Sequence, residues 1–163
     1  MRRRFLSLFF PRLRIDRLER EDPRRAQSPL AVVGERKAHL YIAEVNDAAK
    51  AGGVRRGMRL ADARAVLPSL QIALEDAEAE ARLQRHLVEW CGRYSPLAAP
   101  DGDGGLLLDI TGCAHLFGGE AALLESVESR LGALKFRVRG AIAPTAAAAW
   151  ALARFRPHAI VTE

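Results

Sequence analysis

Apolar residues along this chain occur in short runs that alternate with polar, turn-forming segments, and the lengths of these runs predict small strands and helices. Residues 5–10 are apolar and aromatic, which predicts a short buried strand. Pro11 follows directly, and because proline is favoured at the first position of a helix, we expect a helix that reaches at least Leu18. Residues 29–34 and 39–45 predict two further strands, separated by a charged turn.

The rest of the chain shows the helical period more often than the alternating one. In chain order it predicts short helices over 47–52 and 60–67, a long helix over 75–93, a hairpin over 94–110, a helix over 120–134, a strand over 136–142 and an alanine-rich helix over 145–155. Trp90 and Trp150 stand at helical positions and are expected in the core. If the segment after the first helix is treated as an insertion, the remaining order is close to the ferredoxin-like split βαβ arrangement, so the predicted fold class is α+β.

Composition adds a size limit and a candidate partner. The 163 residues, 49% of them hydrophobic, are enough for one domain with a buried core, with or without a small insertion. The formal net charge is +5, and arginine supplies most of the positive charge. Because a planar guanidinium suits phosphate contacts, this favours a nucleic-acid partner. An arginine-rich composition without such a partner explains the charge equally well.

Cysteine usage and the N-terminal residues predict a location. Cys91 and Cys113 match no metal-binding or redox spacing, which suggests a reducing cytoplasm. The apolar stretch over 5–10 is shorter than the roughly 7–15 residues of a signal-peptide core. No run approaches the roughly 20 apolar residues that a membrane span needs. We therefore expect an intracellular protein without membrane association.

The segment over 94–119 is the most informative part of the chain. It predicts two strands joined by a tight Asp-Gly-Asp-Gly-Gly turn over 101–105, because Asp-Gly pairs between apolar runs are the strongest short hairpin signal. The second strand ends in Leu108-Asp-Ile-Thr-Gly112. Other landmark segments precede and follow it, namely Ala49-Lys-Ala-Gly-Gly-Val-Arg-Arg-Gly-Met58, Ala63-Arg-Ala-Val-Leu-Pro68, Gly140-Ala-Ile-Ala-Pro-Thr145 and Leu152-Ala-Arg-Phe-Arg-Pro157.

In this order the segments resemble the Y-family, or UmuC/DinB-like, translesion DNA polymerases, over the palm and the fingers inserted into it. The resemblance implies a ferredoxin-like palm with a small inserted fingers subdomain. It assigns residues 1–18 and 74–163 to the palm-like domain and residues 19–73 to the fingers-like insertion. The family's thumb and little-finger domains come after the region matched here and are absent from this chain.

The resemblance fails at the positions that carry the family's chemistry. The first strand of family members holds two metal-binding aspartates, and Ser7 and Phe9 stand in their places; Gly104 and Gly105 replace an Asp-Glu pair in the hairpin. We call these four positions the degenerate site. Two-metal phosphoryl transfer requires carboxylates that hold two Mg²⁺ ions about 3.5–4 Å apart, because Mg²⁺ is a hard ion that prefers oxygen ligands. The resemblance therefore implies no catalytic residues, no bound metal and no cofactor, with Mg²⁺ expected only in active relatives.

Nearby acidic residues do not restore the degenerate site. Asp109 lies four residues past Gly105, roughly 13 Å away along a strand that rises about 3.3 Å per residue. Asp101 and Asp103 are the best substitutes, because a one-residue slip would bring Asp103 near the site. Even then the first strand supplies no carboxylate.

This pattern, together with the Phe-Pro-Arg-Leu sequence over 10–13, is similar to the ImuB-type branch of the family, whose members are regarded as catalytically inactive adaptors in damage-induced mutagenesis. The resemblance implies an adaptor of translesion synthesis in DNA damage tolerance, located in the bacterial cytoplasm and at the nucleoid when active. It implies primed or damaged DNA as one partner. Replication or mutagenesis proteins such as a polymerase and the sliding clamp are the others, docking through regions C-terminal to this chain.

Other family contacts transfer one residue at a time. In active relatives a tyrosine and an arginine of the fingers touch the incoming triphosphate, and Asp47 and Lys50 stand in their places. Arg156 matches the palm lysine that contacts the triphosphate, and Arg12 falls at the aromatic gate that excludes ribonucleotides. Lys50 and Arg156 are thus candidate phosphate-binding remnants. The arginines of the first helix and the fingers are the DNA-binding candidates: Arg12, Arg14, Arg55, Arg56 and Arg59.

Two other functions stay open on the sequence. The chain is an active DNA-directed DNA polymerase fragment if its acidic residues are misaligned, or a generic basic nucleic-acid-binding α/β domain if the likeness is accidental. The fold separates these alternatives. Clustering of the degenerate site on adjacent central strands excludes an accidental likeness, whereas an Asp101 or Asp103 side chain directed into that cluster favours the active polymerase.

Overall fold

The structure, a computed structural model, describes residues 2–162. The chain divides into two compact units. One combines the residues up to Pro11 with those from Ala81 onward, and the other is Arg12–Glu80. We call them the palm-like unit and the fingers-like unit. The predicted insertion over 19–73 is shorter at both ends than the fingers-like unit, which also contains the first helix and the start of the long one.

The helices and strands follow the predicted order with one addition, β4. In chain order they are β1 (Phe5–Phe9), α1 (Leu13–Glu21), β2 (Leu30–Arg36), β3 (His39–Val45), α2 (Asp47–Ala51), α3 (Leu60–Val66), β4 (Gln71–Leu74), α4 (Ala77–Cys91), β5 (Ala98–Pro100), β6 (Gly105–Asp109), α5 (Glu120–Ala133), β7 (Arg139–Ala143) and α6 (Ala146–Phe155). Two short 3₁₀ helices, Pro23–Gln27 and Ala114–Phe117, lie between them.

The palm-like unit contains a four-stranded antiparallel sheet in the order β5-β6-β1-β7. Its strands and the helices between them follow the ferredoxin-like arrangement, with β1 and β6, the first and third of these strands in chain order, at the centre of the sheet. The predicted α+β fold class is therefore confirmed. Helix α6 comes after the last strand of the sheet and packs along β1 and β7.

Alternation along the central strands builds the core of this unit. Leu6 and Leu8 of β1 are fully buried and pair with two buried leucines of β6, so leucine covers one face of the sheet. Helix α5 packs on the same face. Gly140 of β7 permits that close approach, because a Cβ at this position would lie 2.4 Å from the Leu124 side chain of α5. The odd-numbered residues of β1 face the other side of the sheet.

The fingers-like unit has a three-stranded sheet in the order β3-β2-β4. Strands β2 and β3 are antiparallel, and β2 and β4 are parallel. An apolar cluster packs α1 onto this sheet: Ile15 and Leu18 of the helix lie with Leu30, Val32 and Ala43. This packing explains why α1 falls in the fingers-like unit, whereas the sequence placed residues up to 18 in the palm-like domain.

Three local expectations differ from the structure. Strand β4 was not predicted, because four residues that pair in parallel with β2 are too few to show a period of their own. Strand β7 begins at Arg139 rather than at Phe136, which instead packs edge-on against the Phe10 ring. Trp150 is 39% exposed, so its predicted place in the core is wrong. Within residues 2–162, no helix has both the length and the apolar character that crossing a membrane requires.

Candidate functional site

Three positions of the degenerate site, Ser7, Phe9 and Gly105, lie on the two central strands of the palm-like sheet, and Gly104 directly precedes β6. Strands β1 and β6 pair so that Phe9 stands opposite Gly105 and Ser7 stands opposite Leu107. The Phe10 N–H donates a hydrogen bond of 2.8 Å to the Gly104 carbonyl, and this bond holds Gly104 beside the end of β1. The sequence-based expectation that these positions cluster on adjacent central strands is met.

The hairpin between β5 and β6 is tightly packed at two of its three glycines, Gly104 and Gly105. The Asp101 N–H donates to the Gly105 carbonyl at 2.9 Å, which closes a three-residue turn. A Cβ at position 105 would lie 2.2 Å from the Asp101 carbonyl oxygen, a collision with backbone. Gly104 has φ +68°, in the left-handed region, and a Cβ there would lie 2.9 Å from the Phe10 carbonyl oxygen. A carboxylate at either position therefore requires a shift of the hairpin backbone.

Strand β1 offers no carboxylate ligand either. The Ser7 side chain is fully buried, and its Oγ has no hydrogen-bond partner within the described part of the chain. A buried hydroxyl without a hydrogen-bond partner is unfavourable, and a serine hydroxyl is neutral, so it brings no negative charge to balance a divalent cation. Phe9, on the same face of the strand, is half-buried and presents an aromatic ring.

A cation that the sequence reading missed lies against the degenerate site. The Cζ atom of Arg154 on α6 is 4.5 Å from the centroid of the Phe9 ring and 4.2 Å from that of Trp150. Its Nη2 atom is 3.0 Å from the point that a Cβ of Gly105 would occupy. Burial lowers the pKa of Arg154, and the nearby Asp101 carboxylate opposes that shift. The spacing of Trp150 and Arg154, one helical turn apart, was the available signal.

The remaining acids of the hairpin do not complete a metal site. Asp101 interacts with Arg154, and Asp103 is exposed at the turn. Asp109 lies opposite Phe5 at the far end of β6, and hydrogen bonds from the Thr111 side chain and backbone N–H lower its pKa. Among residues 2–162, no three His, Cys, Asp or Glu side chains are grouped to hold a metal ion. The residues at the degenerate site do not fit Mg²⁺.

The two candidate phosphate-binding remnants are surface cations in different units. Lys50 lies in the last turn of α2 and is exposed, and its carbonyl accepts a hydrogen bond from Arg55 at 2.6 Å. Arg156 is the residue at the C-terminal cap of α6 and is also exposed. Asp47, at the position of the family's tyrosine, is paired with Arg12 at 3.5 Å. The structure leaves the phosphate-binding role of Lys50 and Arg156 as a prediction.

Two of the five DNA-binding candidates are held in ion-pair clusters inside the fingers-like unit. Arg12 contacts three carboxylates, those of Asp16, Glu19 and Asp47, and its side chain is 13% exposed. Asp16 is 2% exposed, so this cluster reaches the core. We call these four residues the Arg12 cluster.

Arg14, in the first turn of α1, is engaged in the same way. Its guanidinium lies 3.2 Å from Glu44, 2.9 Å from Glu80 and 3.9 Å from Glu75. Glu44, itself buried, also accepts hydrogen bonds from the backbone N–H groups of Arg14 and Ile15 at the start of the helix. The charges of Arg12 and Arg14 are thus directed at carboxylates of their own unit.

The other three candidates lie on the exposed segment between α2 and α3. Arg55, Arg56 and Arg59 are all exposed, and we call them the loop arginines. The Arg55 guanidinium donates to the carbonyls of Lys50 and Val54, which orders the side chain along the loop. Gly57 turns the chain between them with φ +87°. This loop presents positive charge to solvent and can contact a polyanion.

Similarity to known proteins identifies the class and the family of this chain. The sheet order and the degenerate site define a polymerase-like palm. A model of the impB/mucB/samB family matches residues 8–154, so the chain belongs to this family of Y-family polymerase domains. The chain is 51% identical to Protein ImuB of Caulobacter vibrioides over 105 residues, 64% of this chain and 23% of that protein. It is 30% identical to DNA polymerase IV of Pseudomonas entomophila over 126 residues, 77% of this chain and 36% of that protein.

Solved structures show the same fold. An insertion ternary complex of Dbh DNA polymerase aligns with a TM-score of 0.80 at 18% identity, over 98% of this chain and 48% of that chain. DinB from Sulfolobus solfataricus aligns with a TM-score of 0.73 at 17% identity, over 96% of this chain and 46% of that chain. The predicted palm and fingers of the Y family are confirmed, and an accidental likeness is excluded. The chain spans less than half the length of these relatives.

Proposed function

We propose that this chain is a non-catalytic Y-family polymerase-like module that acts in DNA damage tolerance and induced mutagenesis, as an adaptor of translesion synthesis. The observation that carries the proposal is the backbone of the hairpin, in which a Cβ at Gly104 or Gly105 meets a backbone oxygen, so that the turn carries no carboxylate at either position. Without them a two-metal mechanism has no second group of ligands. The 51% identity to Protein ImuB supports the same branch of the family.

The proposed module binds DNA through the loop arginines. They are exposed and adjacent, whereas Arg12 and Arg14 are paired with carboxylates. Binding through phosphates is indifferent to sequence and depends steeply on salt, because neutralised phosphates release counterions. Replication and mutagenesis proteins, such as a polymerase and a sliding clamp, are the protein partners that we propose for the adaptor role.

Chemistry is tested by primer extension. We expect no template-directed extension by the purified chain with Mg²⁺ or Mn²⁺, alongside an active DNA polymerase IV as the positive control. The second candidate function, an active polymerase, is favoured by one observation, the position of Asp101 beside the degenerate site. Extension above a mock purification that Asp101→Ala or Asp103→Ala abolishes would establish that second function instead.

DNA binding is tested by charge reversal at the loop. Fluorescence anisotropy with primed DNA, measured over a series of salt concentrations, gives the affinity and its salt slope. In the Arg55→Glu, Arg56→Glu variant we expect weaker binding and a log–log slope reduced by about 0.7–0.9 for each phosphate that the variant no longer neutralises. The matched control reverses two exposed arginines of the palm-like unit, Arg85 and Arg130. An equal loss of affinity in both variants would show a general charge effect and contradict a loop site.

A further inference from the structure

We propose that the guanidinium of Arg154 is a resident cation of the degenerate site, which stands where the family's metal ions are expected and keeps divalent cations out. The proposal does not rest on the adaptor role, because it concerns only the occupancy of the palm-like site. It adds to the missing carboxylates a positive charge fixed at the same place.

Position is the first argument. Arg154 stacks between two aromatic rings, and one of them belongs to Phe9, which stands at an aspartate position of the family. Its Nη2 atom reaches the surface of Gly105, which stands at the position of the family's hairpin acid. One guanidinium therefore touches both strands that hold metal ligands in active relatives. By contrast, Arg93 of the same unit stacks on Trp90, a residue of α4.

Charge is the second argument. Aromatic faces attract a cation without neutralising it, so the stacked guanidinium keeps its positive charge. The acidic group that acts on it is Asp101, whose negative charge is thereby engaged. A divalent ion beside Arg154 meets repulsion from a neighbouring positive charge, and that repulsion is screened less near protein than in bulk water. The site thus repels a metal ion as well as lacking ligands for it.

The proposal predicts the fate of a carboxylate restored at position 9. In Phe9→Asp the new carboxylate lies on the side of β1 that faces the Arg154 guanidinium, and we expect the two groups to form an ion pair. An opposite charge at such a distance typically lowers the pKa of a carboxyl by about 1–3 units, which corresponds to at least about a tenfold preference for the paired state. A metal ion competes with that pair and loses affinity by the same factor.

The test compares Mn²⁺ binding in four variants by electron paramagnetic resonance of the free ion. They are Phe9→Asp, Phe9→Asp with Arg154→Met, Phe9→Asp with Arg154→Lys, and Phe9→Asn as the uncharged control. We expect the Met double variant to bind Mn²⁺ about tenfold more tightly than Phe9→Asp. The Lys double variant keeps the charge and is expected to bind as weakly as Phe9→Asp. Equal affinity of Phe9→Asp and the Met double variant would overturn the proposal.

A second measurement uses the parent chain, so the proposal stays testable if the variants do not fold. The guanidinium of Arg154 lies over two rings, and we expect their ring currents to displace its Nε–Hε proton resonance upfield from those of the other arginines. Assignment follows from loss of the signal in Arg154→Lys. In Trp150→Leu we expect the resonance to move back toward the others. An Arg154 resonance without upfield displacement in the parent would overturn the stacked geometry, and the proposal with it.

Discussion

Arginine has opposite surroundings in the two units of this molecule. In the fingers-like unit, the Arg12 cluster surrounds one guanidinium with three carboxylates, one of them almost fully buried. In the palm-like unit, Arg154 lies between two aromatic rings with Asp101 as the acid that acts on it. The first arrangement neutralises the charge of the guanidinium and holds a helix in place, whereas the second keeps a positive charge against the degenerate site. The net charge of +5 therefore does not show which arginines are available for DNA binding, because it counts paired, stacked and exposed arginines alike.

The largest expected effect comes from breaking the Arg12 cluster. Arg12→Met leaves the buried Asp16 carboxylate without the partner that lies 2.7 Å away. Removing one member of a buried ion pair is strongly destabilising, and we expect a loss of about 3 kcal/mol in the free energy of unfolding. Urea denaturation measures it. The control is Arg24→Met, which removes a pair on a side chain that is 86% exposed and should change little. Equal stability of the Arg12→Met variant and the parent would show that the cluster is not structural.

The second-largest effect on stability is expected at Gly105, the glycine of the hairpin that Arg154 contacts. Gly105→Ala adds a Cβ that meets the Asp101 carbonyl oxygen at 2.2 Å, so the backbone of the turn must shift. We expect a loss of about 2 kcal/mol, within the usual range for overpacking. Gly102→Ala is the matched control, because φ is +66° there and a Cβ has no neighbour within 4 Å. Its cost is the conformational strain alone, about 1 kcal/mol. If the two variants are equally stable in thermal unfolding, the contact of the new Cβ with the Asp101 carbonyl oxygen does not cause the loss of stability in Gly105→Ala.

Arg154 itself should stabilise the fold less than Arg12 does. Arg154→Met keeps the length of the side chain and removes the cation from two rings, which we expect to cost about 1–2 kcal/mol. Arg93→Met is the control, because Arg93 lies 4.5 Å over the single ring of Trp90 at the surface. A smaller loss, of about 0.5 kcal/mol, is expected for that variant. Chemical denaturation of both variants in parallel decides whether the second ring contributes.

The smallest effect involves an acid of the palm-like unit that is held by hydrogen bonds instead of ion pairs. Thr111 lowers the pKa of Asp109 below its ordinary value of 3.8, so the folded state favours the carboxylate. A lowered pKa contributes stability above the unfolded-state value, and that contribution is lost as the pH falls through the folded-state value. We expect Asp109→Asn to lower the melting temperature near neutral pH and to match the parent well below pH 3.8. A difference independent of pH would exclude this linkage.

The sequence predicted the elements whose period is long or whose caps are explicit. The helix over 145–155 was expected almost to the residue, because Thr145 caps it through the Ala148 N–H and alanine fills it. Strand β4 was not predicted, because its four residues become a strand only through parallel pairing with β2. The degenerate site was predicted from aligned motifs and gathers as expected. Arg154 was not found, because a cation–π stack between α6 and β1 depends on tertiary packing. Trp150 was misplaced for the same reason, since its ring faces a guanidinium at the surface.

The hairpin of β5 and β6 also bears on the evolutionary history of this chain. Placing an acid at position 104 or 105 takes more than a codon change, because a Cβ at either position meets a backbone oxygen. Under the proposed function, a single such substitution yields a less stable protein whose other ligand positions still lack carboxylates. Selection for polymerase activity would then act only after several residues and the turn had changed. The path of the main chain thus opposes a return to catalysis.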